Sequence, residues 1–141
     1  MNASKTILLD NINAIDTKAA RIWCRQDDIV VIQIKPKVHL GKNEGAEILS
    51  ARMELYKSSP QRVLVDAREV KSSDANAWDF TQDNAKLQIT KVLAYLANRP
   101  VEKGLVSFYF SPSPGAMFQS RLFMEEKRAF EWLDLFRRID L

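Results

Sequence analysis

The chain has 141 residues, 46% hydrophobic and 28% charged, and 21 basic against 18 acidic side chains leave a net charge of +3. This length suits one domain that buries roughly 68% of its unfolded surface, and the composition excludes collagen-like, low-complexity and largely disordered chains. One cysteine, Cys24, excludes an internal disulfide, and one histidine, His39, excludes a multi-histidine metal site, so neither a metal nor another cofactor is expected.

Residues 1–18 alternate without a clear period and are read as a lead-in of uncertain order before a domain over 19–141. Ile22 to Lys35 reads as a hairpin: Arg21-Ile22-Trp23-Cys24-Arg25 alternates, Gln26-Asp27-Asp28 turns, and Ile29 to Ile34 is β-branched and apolar until Pro36 ends it. Lys35 to Lys42 is the densest basic stretch and reads as a solvated loop, with anion contact as the alternative. From Asn43 to Lys57 the period becomes helical, with Ala46, Leu49, Met53 and Tyr56 as the expected core-facing stripe, and Ser58-Ser59-Pro60 stops it. Arg62-Val63-Leu64-Val65-Asp66 is a bluntly apolar strand of the kind covered on both faces.

Ser72-Ser73-Asp74 offers capping side chains for a helix running to about Leu87 and carrying Ala77, Phe80 and Asn84. Lys91 to Ala97 is a third apolar strand, closed by Asn98-Arg99-Pro100. Val101 to Phe110 fits a helix or a strand by period alone, and Ser111 to Gly115 is a loop. Arg121-Leu122-Phe123 is a brief strand. Ala129, Trp132, Leu133 and Phe136 stripe a last helix, with Glu125 and Glu126 at its positive end and Arg137 and Arg138 at its negative end. The order predicts an α/β domain: a mixed sheet of about four to five strands, an N-terminal antiparallel hairpin and helices packed on it, with Val63–Val65 inside.

Few residues suggest catalysis. A Cys24–His39 pair is formally available, but a strand cysteine more often acts as a small buried hydrophobe. Asp66 and Asp74 could hold a cation or act as acid and base; residues so placed more often satisfy loop amides. No phosphate-binding glycine motif occurs among Gly41, Gly45, Gly104 and Gly115. Ser72-Ser73 at a helix start suits modification or anion contact, with capping as the plainer reading. A surface-exposed Trp78 would point to a partner. The interleaved charges give no nucleic-acid face. No run approaches the ~20 apolar residues of a membrane span, and Ile7-Leu8-Leu9 is shorter than the about 7–15 residues of a signal-peptide core. A cytoplasmic protein without integral membrane association is expected.

The stretch Val63-Leu64-Val65-Asp66-Ala67-Arg68-Glu69-Val70, followed by Ser72-Ser73-Asp74, resembles the central strand and loop of STAS-like domains, the sulfate-transporter and anti-sigma-factor-antagonist family. It is most similar to a small bacterial group of such proteins, in which an R-L-F strand and a W-L helix close the chain, here Arg121-Leu122-Phe123 and Ala129-Phe130-Glu131-Trp132-Leu133. The resemblance covers roughly residues 20–138 and tips Val101–Phe110 toward helix. Anti-sigma-factor antagonists carry Asp-Ser-Ser-Gly after this strand, with a serine that a kinase phosphorylates; here Asp74-Ala75-Asn76-Ala77 keeps the Asp and loses both hydroxyls.

The resemblance implies a non-enzymatic regulatory or protein-interaction module without that serine. Its candidate partner face comprises Ser72, Ser73, Asp74, Ala75, Asn76 and Trp78, and the partner is an unidentified protein, a second copy of the chain included. The alternative is a small-ligand or lipid binder with an apolar pocket near residues 101–118, lined by Phe108, Phe110 and Phe118 beside Met117. An enzyme built on Asp66 and Asp74 ranks last.

Overall fold

A computed structural model describes residues 13–81, 88–98 and 118–137. Its elements are β1 (Ile15–Asp16), β2 (Ala20–Cys24), β3 (Ile29–Ile34), β4 (His39–Leu40), α1 (Lys42–Leu55), β5 (Gln61–Asp66), β6 (Ser72–Ser73), a 3₁₀ helix (Ala75–Thr81), β7 (Thr90–Leu96), β8 (Gln119–Phe123) and α2 (Glu126–Asp134). Among the described residues six strands form one mixed sheet in the order β1-β2-β3-β5-β7-β8. The expected hairpin pairs Ile22 with Ile32 and Cys24 with Val30, β1 adds to it antiparallel along β2, and β3, β5, β7 and β8 run parallel. The sixth strand, β1, spans two residues, too few to show a period in sequence. Asp28 closes the hairpin at φ 66°, a left-handed conformation that Asp tolerates better than most residues.

Both faces of the sheet are covered, which is why the central strands read as unbroken apolar runs. All six residues of β5 are buried, with Val63, Leu64 and Val65 fully so. On one face Ile48 and Ala51 of α1 and Ala77, Trp78 and Phe80 of the 3₁₀ helix meet Ile22, Val30, Ile32, Val63, Val65, Leu93 and Tyr95. On the other, Ala129, Phe130 and Leu133 of α2 meet Trp23, Val31, Leu64, Val92, Ala94 and Leu96. Two arginines hold α2. Arg62 donates to the Leu133 carbonyl at 3.1 Å near the helix's negative end, and Arg68 reaches Glu126 at its positive end while chelating Asp66 through two 2.9 Å bonds.

Two expectations need correction. The stripe Ala46, Leu49, Met53 and Tyr56 does not face the core: Ala46 and Met53 are exposed and the other two half-buried. The buried side of α1 is Gly45, Ile48, Ala51 and Arg52. Two contacts that period cannot register rotate the helix this way. A Cβ on Gly45 would stand 2.1 Å from the Ala77 carbonyl oxygen, so the 3₁₀ helix can approach only over a glycine. The fully buried Arg52 guanidinium donates to Gln61 Oε1, Thr90 Oγ1 and the Phe80 carbonyl, so a charged residue occupies a core position. The second correction concerns the helix expected from Ser72 to Leu87. Ser72 and Ser73 are a strand, and the helix over Ala75–Thr81 is 3₁₀; Asn84 and Leu87 lie outside the described residues, as does Val101–Phe110.

Candidate functional site

Strands β3 and β5 are parallel neighbours, so the segments leaving their C-terminal ends emerge side by side. Five residues past Ile34 and six past Asp66, these segments pair again as a two-stranded parallel ribbon, His39 opposite Ser72 and Leu40 opposite Ser73. Pro36 followed by Lys37 at φ 63° turns the first segment toward the ribbon, in the order that a type II turn favours. Asp74 extends the ribbon by donating its N–H to the Leu40 carbonyl at 3.0 Å. Leu40 is fully buried and anchors the ribbon to the core, leaving His39 and Ser72 exposed on it. Beyond it Gly41 begins α1, its N–H donating at 3.0 Å to the Glu44 carboxylate. Hydrogen bonds from the Glu44 and Gly41 backbone, the first being the larger cause, hold that carboxyl below the usual carboxylate range, with Lys18 adding to the effect at 3.4 Å.

The ribbon brings His39, which the sequence placed in a separate basic loop, to Ser72 and Asp74 of the candidate face. Ser72 Oγ lies 2.7 Å from His39 Nδ1, and His39 Nε2 lies 3.2 Å from Asp74 Oδ1. The carboxylate can only accept, so Nε2 carries a proton toward it; in a singly protonated ring Nδ1 then accepts from the Ser72 hydroxyl. The cluster is open to solvent, with His39 and Asp74 side chains 53% and 56% exposed. The signal that could have located it was topological: two parallel strands adjacent in the sheet, each followed by a segment of nearly equal length.

The remaining candidates are held elsewhere. Ser73 Oγ accepts from Trp78 Nε1 at 3.0 Å, and the first turn of the 3₁₀ helix is closed by Ala77 N–H donating to the Asp74 carbonyl at 3.1 Å, so backbone closes this turn in place of the expected side-chain cap. Trp78 is only 4% exposed and stacks at 5.7 Å on Phe80, so it is a core residue and offers no exposed aromatic to a partner. Ala75 and Asn76 open the 3₁₀ helix directly after the cluster. Asp66 is buried and chelated by Arg68, so it does not converge with Asp74. Among the described residues no three His, Cys, Asp or Glu groups are placed to hold a metal ion.

Cys24 and His39 are not brought together either. Cys24 pairs with Val30 at the start of β3, whereas His39 follows the far end of that strand, some ~15 Å along it. Burial, followed by the Asp28 carboxylate, pushes the Cys24 thiol up, away from the thiolate a nucleophile requires. Of the proposed pocket residues, Phe108, Phe110 and Met117 lie outside the described residues, and Phe118 is half-buried against the core. No helix among the described residues is long and apolar enough to cross a membrane.

A mixed sheet with parallel centre, an N-terminal hairpin and loop segments gathered beyond the C-terminal strand ends make up an α/β domain with a STAS-like fold. Consistent with this, the crystal structure of an uncharacterized protein of the DUF3478 family with a SpoIIAA-like fold, from Shewanella loihica PV-4, superimposes with a TM-score of 0.52 over 84% of this chain and 98% of that one, at 16% identity. The chain itself belongs to the family described as Domain of unknown function (DUF7793), whose model matches residues 22–137. Comparison with curated proteins gives no match.

Proposed function

We propose that this protein is a non-enzymatic regulatory module of the cytoplasm that binds a protein partner through the surface running from the His39/Ser72 ribbon to Asn76. The observation that carries the reading is the exposed His39–Ser72–Asp74 cluster beyond the C-terminal ends of β3 and β5. Open α/β sheets place their binding crevices at that edge, where strand ends and helix starts converge. The ribbon supplies a donor, an acceptor and a hydroxyl on backbone tied to the core through Leu40. Asn76 stands where anti-sigma-factor antagonists present their serine, so the surface works without phosphorylation at that position. Trp78 supports the face from beneath through Ser73.

The test pairs the wild type with Asn76→Arg and Ala75→Arg. Proteins that co-purify with the wild type from its native host are identified by mass spectrometry, and their binding is then measured directly against both variants. Loss of binding by variants with nearly unchanged melting temperatures supports the reading. Full binding by such variants removes this face from the function.

A further inference from the structure

We propose that Ser72 is an activated acyl acceptor, modified by small activated acyl donors such as thioesters without help from another protein. The geometry is that of a hydroxyl whose proton already has a destination. Ser72 Oγ sits 2.7 Å from His39 Nδ1, and the opposite ring nitrogen is held at 3.2 Å by the Asp74 carboxylate. That carboxylate fixes the tautomer which leaves Nδ1 free to take the Ser72 proton, and it stabilises the imidazolium formed as the proton arrives. The ring nitrogens are interchanged relative to serine hydrolases, but the hydroxyl–imidazole–carboxylate order is the same. The backbone is predisposed to hold it: His39 and Ser72 are register partners in the ribbon, and Asp74 is tied to Leu40 by its own N–H.

The step balances within these groups. Ser72 Oγ attacks the acyl carbon of the thioester as its proton passes to His39 Nδ1. The carbon–sulfur bond then breaks, and the imidazolium returns the proton to the departing thiolate. The products are an O-acyl Ser72 and a free thiol, and no oxidant or metal takes part. Access favours Ser72 over its neighbour. Ser72 and His39 are exposed, whereas the Ser73 hydroxyl is half-buried and already accepts the Trp78 N–H. Acylation of Ser72 would break its contact with Nδ1 and place an uncharged group on the proposed partner face. The modification itself requires no partner.

The experiment incubates the full chain with acetyl-coenzyme A, and in parallel with p-nitrophenyl acetate, and follows acetylation by intact mass and peptide mapping. Positioned general bases are worth about 10²–10⁴-fold, and in this open site the lower end is expected: Ser72 should acetylate about 100-fold faster in the wild type than in His39→Gln. Asp74→Asn should lie between them, Ser72→Ala should take up no acetyl group at this site, and Ser73 should stay unmodified. Melting curves establish that each variant is folded, and a folded His39→Gln that stays slow separates proton transfer from mere support of the ribbon. Ser72 acetylation at equal rates in wild type and His39→Gln, or acetyl groups on lysines alone, overturns the proposal. Because no partner is present, either outcome leaves the binding test above independent.

Discussion

The Trp78 indole N–H donates to the Ser73 hydroxyl at 3.0 Å, joining the most conspicuous aromatic of the candidate face to one of its two serines beneath the surface. Trp78 Nε1 is thereby satisfied inside the core, and Ser73 is structural while Ser72 is free to serve the surface. Removing the Ser73 hydroxyl should leave a buried donor without this acceptor, at a cost of about 1–3 kcal/mol. Urea denaturation of Ser73→Ala should show that loss in the midpoint with an unchanged slope, whereas Ser72→Ala should change stability by less than about 0.5 kcal/mol.

Gly45 is where α1 and the 3₁₀ helix touch. Alanine in a helix interior ordinarily gains about 0.5–1 kcal/mol over glycine. Here the added methyl would meet the Ala77 carbonyl oxygen at 2.1 Å, a backbone atom that cannot swing aside. Gly45→Ala should therefore reverse the usual sign and destabilise by about 1–3 kcal/mol. Chemical denaturation of the variant measures it, and a stabilised Gly45→Ala would mean that the two helices are not in this contact.

Arg52 sits at 0% exposure among hydrogen-bond acceptors from three elements: Gln61 Oε1, Thr90 Oγ1 and the Phe80 carbonyl. Gln61 answers by donating to the Arg52 carbonyl at 3.0 Å. Arg52→Ala removes the donors and leaves a cavity, for an expected loss of about 3–5 kcal/mol. Arg52→Met keeps most of the volume and should cost less, and Gln61→Leu in the Arg52→Met background should recover part of the loss. Thermal unfolding of the three variants distinguishes these cases.

Tyr95 is buried in the same face, and burial is the largest cause pushing its phenol up to about 12. Its unfolded value is near 10, so the native state favours the protonated phenol; this stability is fully present below pH ~10 and is lost as pH rises through the folded value. The difference corresponds to about 2–3 kcal/mol. Between pH 10 and 12 the wild type should lose stability more steeply than Tyr95→Phe, which carries no ionisable group there. Parallel pH-dependent melting curves would refute the assignment.

Acid should act at the opposite edge of the sheet. Hydrogen bonds from Arg21 and then Lys35 lower the Asp16 carboxyl to about 2, attaching β1 to the hairpin. A depressed carboxyl contributes stability above its unfolded value near 4 and loses it as pH falls through about 2. Asp16 is half exposed, so solvent screening limits the effect to a few tenths of a kcal/mol. Asp16→Asn should narrow the difference between melting temperatures at pH 5 and pH 2 only slightly; a large change would show β1 to be more than an edge strap.

The sheet was legible because its strands carry their own signal. Ile29–Ile32, Val63–Val65 and Val92–Leu96 are apolar without alternation because helices cover both faces, and Gln26-Asp27-Asp28 supplies a residue able to hold φ 66°. The last helix was legible in part, since Ala129 and Leu133 are buried and acidic side chains occupy its start, but Phe130 from outside the expected stripe is buried beside them while Trp132 and Phe136 are half-buried. What faced inward on α1 was not legible. A glycine and an arginine lie on its buried side, and only the Ala77 carbonyl and the acceptors on Gln61, Thr90 and Phe80 make those positions interior. The His39–Ser72–Asp74 cluster lay further still from local pattern. His39 stands 33 and 35 positions from Ser72 and Asp74, and no period relates it to them. Parallel pairing of β3 with β5 brings their trailing segments into register, so that cluster is a consequence of strand order, which resides in long-range contacts between strands and not in any window of residues.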